Sequence, residues 1–104
     1  AKEASALVER SLDKGRHVSI QEVAERLFTC RSKLCATFKA QTAESLGAYI
    51  RRRRMERAQE LLADSSLTIA QVAERLDYPQ QAAFAQAFKQ YTGTTPTAWR
   101  SQHI

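Results

Sequence analysis

Apolar residues recur along the chain at three- and four-residue spacing, the period of an amphipathic helix, and nowhere in a sustained alternation that would predict strands. Ala4, Leu7, Val8 and Leu12 form one stripe, closed by Gly15. Ile20, Val23, Ala24 and Leu27 form a second, and Ile69, Val72, Ala73 and Leu76 repeat it. Leu34 with Phe38, and Phe84 with Phe88, predict further helices over about 31–42 and 80–92. Leu46, Tyr49, Ile50, Ala58, Leu61 and Leu62 run through the longest uninterrupted helical stretch, a connector helix over about 45–64. Gly93 suits a helix end, and Thr95-Pro96 reads as cap and first position of a short last helix through Trp99 and Arg100. With only three glycines and two prolines, the pattern is all-α.

Two of these stretches are copies. Ser19-Ile20-Gln21-Glu22-Val23-Ala24-Glu25-Arg26-Leu27 returns as Thr68-Ile69-Ala70-Gln71-Val72-Ala73-Glu74-Arg75-Leu76 at an offset of 49, with five consecutive residues identical. After one added residue, Leu34, Phe38 and Lys39 match Phe84, Phe88 and Lys89 at an offset of 50. Two copies are too few for a solenoid, so they read as paired modules, over about 19–42 and 68–92. Ser19 with Glu22, and Thr68 with Gln71, have the spacing of capping boxes. Short turns follow at Phe28-Thr29-Cys30 and Asp77-Tyr78-Pro79, giving helix, turn, helix in each module.

At 104 residues the chain has room for one small domain, or two subdomains sharing a helix. It has no apolar run long enough to span a bilayer and no secretory leader pattern, so a soluble, cytoplasmic chain is expected. Since it begins with Ala1 rather than Met, a processed or excised chain with a further effector or dimerisation domain is also expected. The net charge of +5 is unevenly placed: residues 1–27 balance, residues 28–57 carry eight basic against two acidic groups, and residues 58–104 carry three against four. A basic middle is the footprint of a protein that meets a polyanion.

Cys30 and Cys35 would point about 140° apart on one helix, so they do not pair within it. With His17 and His103 distant in sequence, no zinc-ligand spacing exists. No acid pair, Ser-His-Asp set or phosphate loop gives enzymology a foothold, and no cofactor or metal is expected.

The faces turned from the core carry the remaining information. Measured from Leu34 around a helical wheel, Cys35 lies at about 100°, Lys39 at about 140°, Ser32 at about 160° and Ala36 at about 200°. In the second module Ala82, Gln86 and Lys89 take the equivalent places, with Gln81 at about 60° from Phe84 on the leading edge. Such short polar faces with lysine at the rim fit a major groove, where a glutamine amide can bond adenine N6 and N7 together. The run Arg51 to Arg54 sweeps about 300° of helix, so it is divided between phosphates and internal salt bridges such as Arg52 with Glu56.

From Ser19 to Arg100, about four-fifths of its length, the chain resembles the DNA-binding domain of the AraC/XylS family of bacterial transcription regulators. The residues that carry the likeness are Ile20, Val23, Ala24, Leu34, Phe38 and Lys39 in the first module. In the connector they are Ser45, Leu46, Tyr49, Ile50, Arg54, Met55, Ala58, Leu61 and Leu62. In the second module and tail they are Ile69, Val72, Ala73, Phe84, Phe88, Lys89, Gly93, Pro96, Trp99 and Arg100. The resemblance implies seven helices and two recognition helices in successive major-groove segments of double-stranded DNA, joined by the connector. It also implies activation through RNA polymerase and an effector-binding or dimerising domain elsewhere. It puts base contacts at Ser32, Cys35 and Ala36, and at Gln81, Ala82, Ala85 and Gln86. Phosphate contacts are expected from Arg31, Lys33, Lys39, Arg51, Arg54, Lys89 and Arg100.

Two departures stand out. The family often has glycine where this chain has Phe28, Asp77 and Ala43; Phe and Ala tolerate a positive φ poorly, so the first module's turns are expected to differ in geometry. Cys35 and Ala36 are too short for paired base contacts, so the first module should anchor through charge and thymine methyls while the second supplies glutamine readout. Competing readings are a helical module that binds protein and not DNA, and a cysteine-based sensor at Cys35.

Overall fold

The computed structural model describes residues 2–103; Ala1, from which a processed chain was expected, lies outside them. Among the described residues seven helices follow one another: α1 Lys2–Asp13, α2 Ile20–Arg26, α3 Arg31–Thr42, α4 Leu46–Leu62, α5 Ile69–Arg75, α6 Gln81–Thr92 and α7 Pro96–His103. They match the sequence pattern to within one or two residues at each end.

The chain divides into two compact units, residues 1–53 and 54–104. In the first, Ala4, Val8 and Leu12 of α1 pack with Val23, Ala24, Leu34, Phe38, Leu46 and Ile50. The second buries Met55, Ala58 and Leu62 with Leu67, Val72, Ala73, Leu76, Phe84 and Phe88. Helix α4 thus serves twice, its first turns closing one core and its last turns opening the other.

This double service reveals that the duplication is longer than the sequence pattern suggests. Thr42 donates to the Phe38 carbonyl at 2.8 Å and accepts from the Glu44 amide, and Thr92 does the same with Phe88 at 2.9 Å and Thr94. Ser45 Oγ then caps α4 through the Ala48 amide, as Thr95 Oγ1 caps α7 through Ala98, both at 3.2 Å. Tyr49 leans on Phe38 with ring centres 5.4 Å apart, and Trp99 on Phe88 at 6.2 Å. At the other end Val8, Leu12 and Val18 correspond to Ala58, Leu62 and Leu67, all buried. Each unit is therefore a four-helix copy: α1, α2, α3 and the start of α4, then the end of α4, α5, α6 and α7.

The turns depart from expectation. Phe28 sits at φ 56° and Asp77 at φ 63°, so the first module adopts the same left-handed turn as the second and does not find another geometry. Each turn is held by a long-reach bond across the helix end, Thr29 N to Ala24 O and Tyr78 N to Ala73 O, both 3.0 Å. Those bonds settle the main chain, and the Phe28 side chain is left 97% exposed. The caps also differ slightly. Thr68 and Gln71 close a full reciprocal box, whereas Ser19 accepts from the Glu22 amide and its hydroxyl meets the Glu22 carboxylate at 3.4 Å.

Candidate nucleic-acid interface

In each unit the second helix of the pair is anchored by two aromatic or aliphatic side chains on one face, leaving the opposite face to solvent. On α3, Leu34 and Phe38 are buried while Arg31, Ser32, Lys33, Ala36 and Lys39 are exposed, with Cys35 half-buried on the flank. On α6, Phe84 and Phe88 are fully buried, Gln81, Ala82, Gln86 and Lys89 are exposed, and Ala85 is half-buried. The sequence-expected base contacts of each module therefore share one face of one helix, with its lysine beside them. Cys30, also exposed, occupies the N-cap of α3 without a side-chain capping bond.

Rigid ends hold these helices. Helix α3 stops at Ala43, φ 65°, whose amide donates to Lys39 O at 2.7 Å; α6 stops at Gly93, φ 86°, with the matching bond to Lys89 at 2.8 Å. Helix α6 is further fixed by an aromatic chain, Tyr78 to Phe84 to Phe88 to Trp99, with centres 5.5, 5.7 and 6.2 Å apart.

The arginine run of α4 is sorted by the rotation of the helix. Arg51 is exposed. Arg52 turns to Glu44: its Nε and Nη2 donate to the two carboxylate oxygens at 3.0 and 3.1 Å, and the fork holds the Glu44 carboxyl below its ordinary pKa. Arg53 reaches Glu9 of α1, Nε donating to Oε1 at 2.8 Å. Arg54 lies against the second module's turn: it donates to Leu76 O at 3.1 and 2.7 Å, and its guanidinium carbon stands 3.7 Å from the Tyr78 ring centre. Burial lowers its pKa, an effect the Tyr78 and Asp77 charges oppose. Arg100 donates to Leu62 O at 2.9 Å and Asp64 O at 3.3 Å, closing the end of α4. Both residues were expected at phosphates; both are half-buried, with Nε and Nη2 donating to carbonyls of their own unit. No periodicity could have separated these two from Arg51, since their carbonyl partners lie 22 and 38 residues away.

Among the described residues no group of His, Cys, Asp and Glu could hold a metal, and no helix is long and apolar enough to cross a membrane.

The chain is similar to known regulators over most of its length. A family profile for a helix-turn-helix domain matches residues 23–102. The Multiple antibiotic resistance protein MarA of Escherichia coli is 34% identical over 87 residues, 84% of this chain and 68% of that protein. The Msm operon regulatory protein of Streptococcus mutans is 33% identical over 88 residues, 85% of this chain, of which this chain spans only 32%. Among solved structures, the C-terminal domain of AraT, a response regulator from Geobacillus stearothermophilus, superposes with a TM-score of 0.89 at 28% identity, covering 99% of this chain and 84% of that one. The Streptococcus protein and AraT are regulators by name. With its paired helix-turn-helix units and a family profile that matches residues 23–102, most of its length, the chain belongs to the AraC/XylS family of bacterial transcription regulators, as a DNA-binding domain.

Proposed function

We propose that α3 and α6 are recognition helices that enter successive major-groove segments of one operator. The observation that carries this reading is the repeated face: on each helix a short, exposed, uncharged patch flanked by a lysine, Lys39 or Lys89, opposite two buried anchors. Ser32, Cys35 and Ala36 meet bases in the first module by apolar contact and single hydrogen bonds. Gln81, Ala82, Ala85 and Gln86 meet them in the second, where each glutamine amide can pair with an adenine edge. Arg31, Lys33, Lys39, Arg51 and Lys89 hold phosphates. Arg54 and Arg100 act on DNA only through the elements they hold in place.

In the full-length regulator the domain works in the bacterial cytoplasm at the nucleoid, beside an effector or dimerisation domain, and activates transcription by touching RNA polymerase. That part rests on the family resemblance. The base-reading part is tested by selecting the domain against a random duplex library at physiological ionic strength. A two-part site with centres about 10 base pairs apart is the expected result. A pool without sequence enrichment, or one enriched for a single half-site, contradicts reading by both helices. Salt-tolerant association with a protein and no affinity for duplex would favour an interaction module instead.

A further inference from the structure

The first unit contains a cleft of ≈ 70 Å³ between α1, the loop after it and α2, to which no residue of α3 contributes. Arg10, Ser11, Lys14, Arg16 and Arg26 line it, and Glu22 is its one acidic residue. Over residues 1–27 basic and acidic groups balance, yet four of the five cations converge here. Elsewhere in the segment the acids are engaged differently: Glu9 pairs with Arg53, and Glu25 accepts from Gln21.

The duplication supplies an internal control. Arg10 and Lys14 correspond to Glu60 and Asp64 at the offset that aligns Leu12 with Leu62. Glu22 corresponds to Gln71 at the offset that aligns Val23 with Val72. The same helical frame therefore closes with carboxylates at two of the four positions where the first unit has cations, while Arg26 keeps its charge in the second copy as Arg75. Packing does not demand the positive charge, and concentrating it raises the energy of the isolated domain by self-repulsion. An anion offsets that cost.

We propose that this cleft is a phosphate-binding site, separate from the base-reading face of α3. Arginine forks and an ammonium suit the oxygens of a phosphate, and the Ser11 hydroxyl adds a neutral donor. The space is several times the about 10–15 Å³ that a single water needs, enough to seat the oxygens of a phosphate group. The phosphate has two available sources. One is the backbone of bound DNA, which the first helix of a helix-turn-helix pair crosses; this source rests on the function proposed above. The other is a free phosphate or pyrophosphate, which does not.

The experiment uses the whole 104-residue chain, inorganic pyrophosphate as the free probe, and a selected duplex with and without several base pairs of flank. The variants are the exposed pair Arg10→Ala with Lys14→Ala, and Glu22→Gln, which removes the opposing charge and retains a side chain able to cap. The double variant should weaken phosphate binding about 5- to 10-fold, and Glu22→Gln should tighten it about 2- to 3-fold, because the charge changes have opposite sign. Saturable pyrophosphate binding altered in this way identifies a free anion. Altered affinity for the flanked duplex alone, with the salt slope of the double variant reduced by about 1 to 2 and base preference unchanged, identifies the DNA backbone. If neither pyrophosphate nor flanked-duplex affinity responds to either variant, the proposal is overturned. Should wild type select no sequence yet bind pyrophosphate, the function proposed above fails and the cleft stands.

Discussion

Ala43 and Gly93 hold the same place at the ends of α3 and α6, which makes them a matched test of backbone strain. Both are left-handed, at φ 65° and 86°, and both amides close the same bond to the fourth residue back. An L-residue there costs about 1–2 kcal/mol through the clash of Cβ with the following carbonyl. Glycine avoids that clash but gives the unfolded chain more freedom, which takes back about 0.4–1 kcal/mol. Ala43→Gly should therefore stabilise the domain by about 0.5–1 kcal/mol, and Gly93→Ala should destabilise it by about as much. Beyond its chain neighbours a Cβ at Gly93 would meet no atom within 4 Å, so no tertiary contact contaminates the second figure. At about 4–8 °C per kcal/mol, thermal melts should move about 2–8 °C in opposite directions. Urea titrations should give the same signs with unchanged slopes. Two shifts of the same sign, or a lower melting temperature for Ala43→Gly, would refute the strain account. Phe28→Gly extends the test: with its side chain 97% exposed the substitution loses almost no burial, so it too should stabilise.

Three further outcomes follow from the side chains. Arg54→Ala should lower stability by about 1.5–3 kcal/mol, the range for hydrogen bonds from a charged group, and Arg54→Lys should recover only part because lysine lacks the planar fork that spans Leu76 O and stacks on Tyr78; full rescue by lysine in denaturant titrations would contradict this. The Glu44 carboxyl is held below its ordinary value of 4.5 by the Arg52 hydrogen bond, and Asp64 below 3.8 by the Ser66 hydroxyl and amide. A carboxyl whose folded pKa is lowered stabilises above its unfolded value and loses that contribution as pH falls through the folded one, so melting temperature should be flat above about pH 4.5 and decline below, less steeply in Glu44→Gln. An unchanged acid slope in that variant would remove the ion pair from the account. Gln86→Ala should relax base preference with little change in salt slope, whereas Lys89→Ala should weaken all duplexes alike and reduce the slope by about 1, both read by binding titrations over a salt series; the reverse assignment would exchange their roles.

How much of this was legible in the sequence depended on whether a residue's partner was near or far along the chain. The seven helices follow from periodicity and caps, and the two modules from core residues that are chemically alike, Val23 with Val72 and Phe38 with Phe88. The rest of the duplication escaped notice because its chemistry changed while its geometry did not: Ser45 became Thr95, Tyr49 became Trp99, Ala43 became Gly93. Within the arginine run, a rotation of about 100° per residue sends neighbours to unrelated places. Arg53 finds Glu9 44 residues away and Arg54 the turn at Leu76, and nothing local marks either choice. Phe28 misled in the other direction. Its own preference opposes a positive φ, but the bond from Thr29 to Ala24 and the packing of two helices outweigh about 1–2 kcal/mol of local strain.

The two copies also separate what the fold requires from what the site requires. Positions alike in both units and buried in both, such as Val23 and Val72 or Ala24 and Ala73, are answers to packing. Positions alike and exposed, Lys39 with Lys89 on α3 and α6 and Arg26 with Arg75 on α2 and α5, cannot be explained by a core. Positions that differ on the exposed face of α3 and α6, Arg31 against Gln81 and Ala36 against Gln86, change donor reach and charge without touching an anchor, so each unit can address a different stretch of one ligand. By the same contrast, the cations of Arg10 and Lys14, set against Glu60 and Asp64, belong among the residues that recognise and not among those that fold. A duplicated scaffold thus reports on itself: wherever one unit carries an exposed charge that its copy replaces with the opposite sign, packing does not require that charge, which leaves it available to a partner of complementary sign.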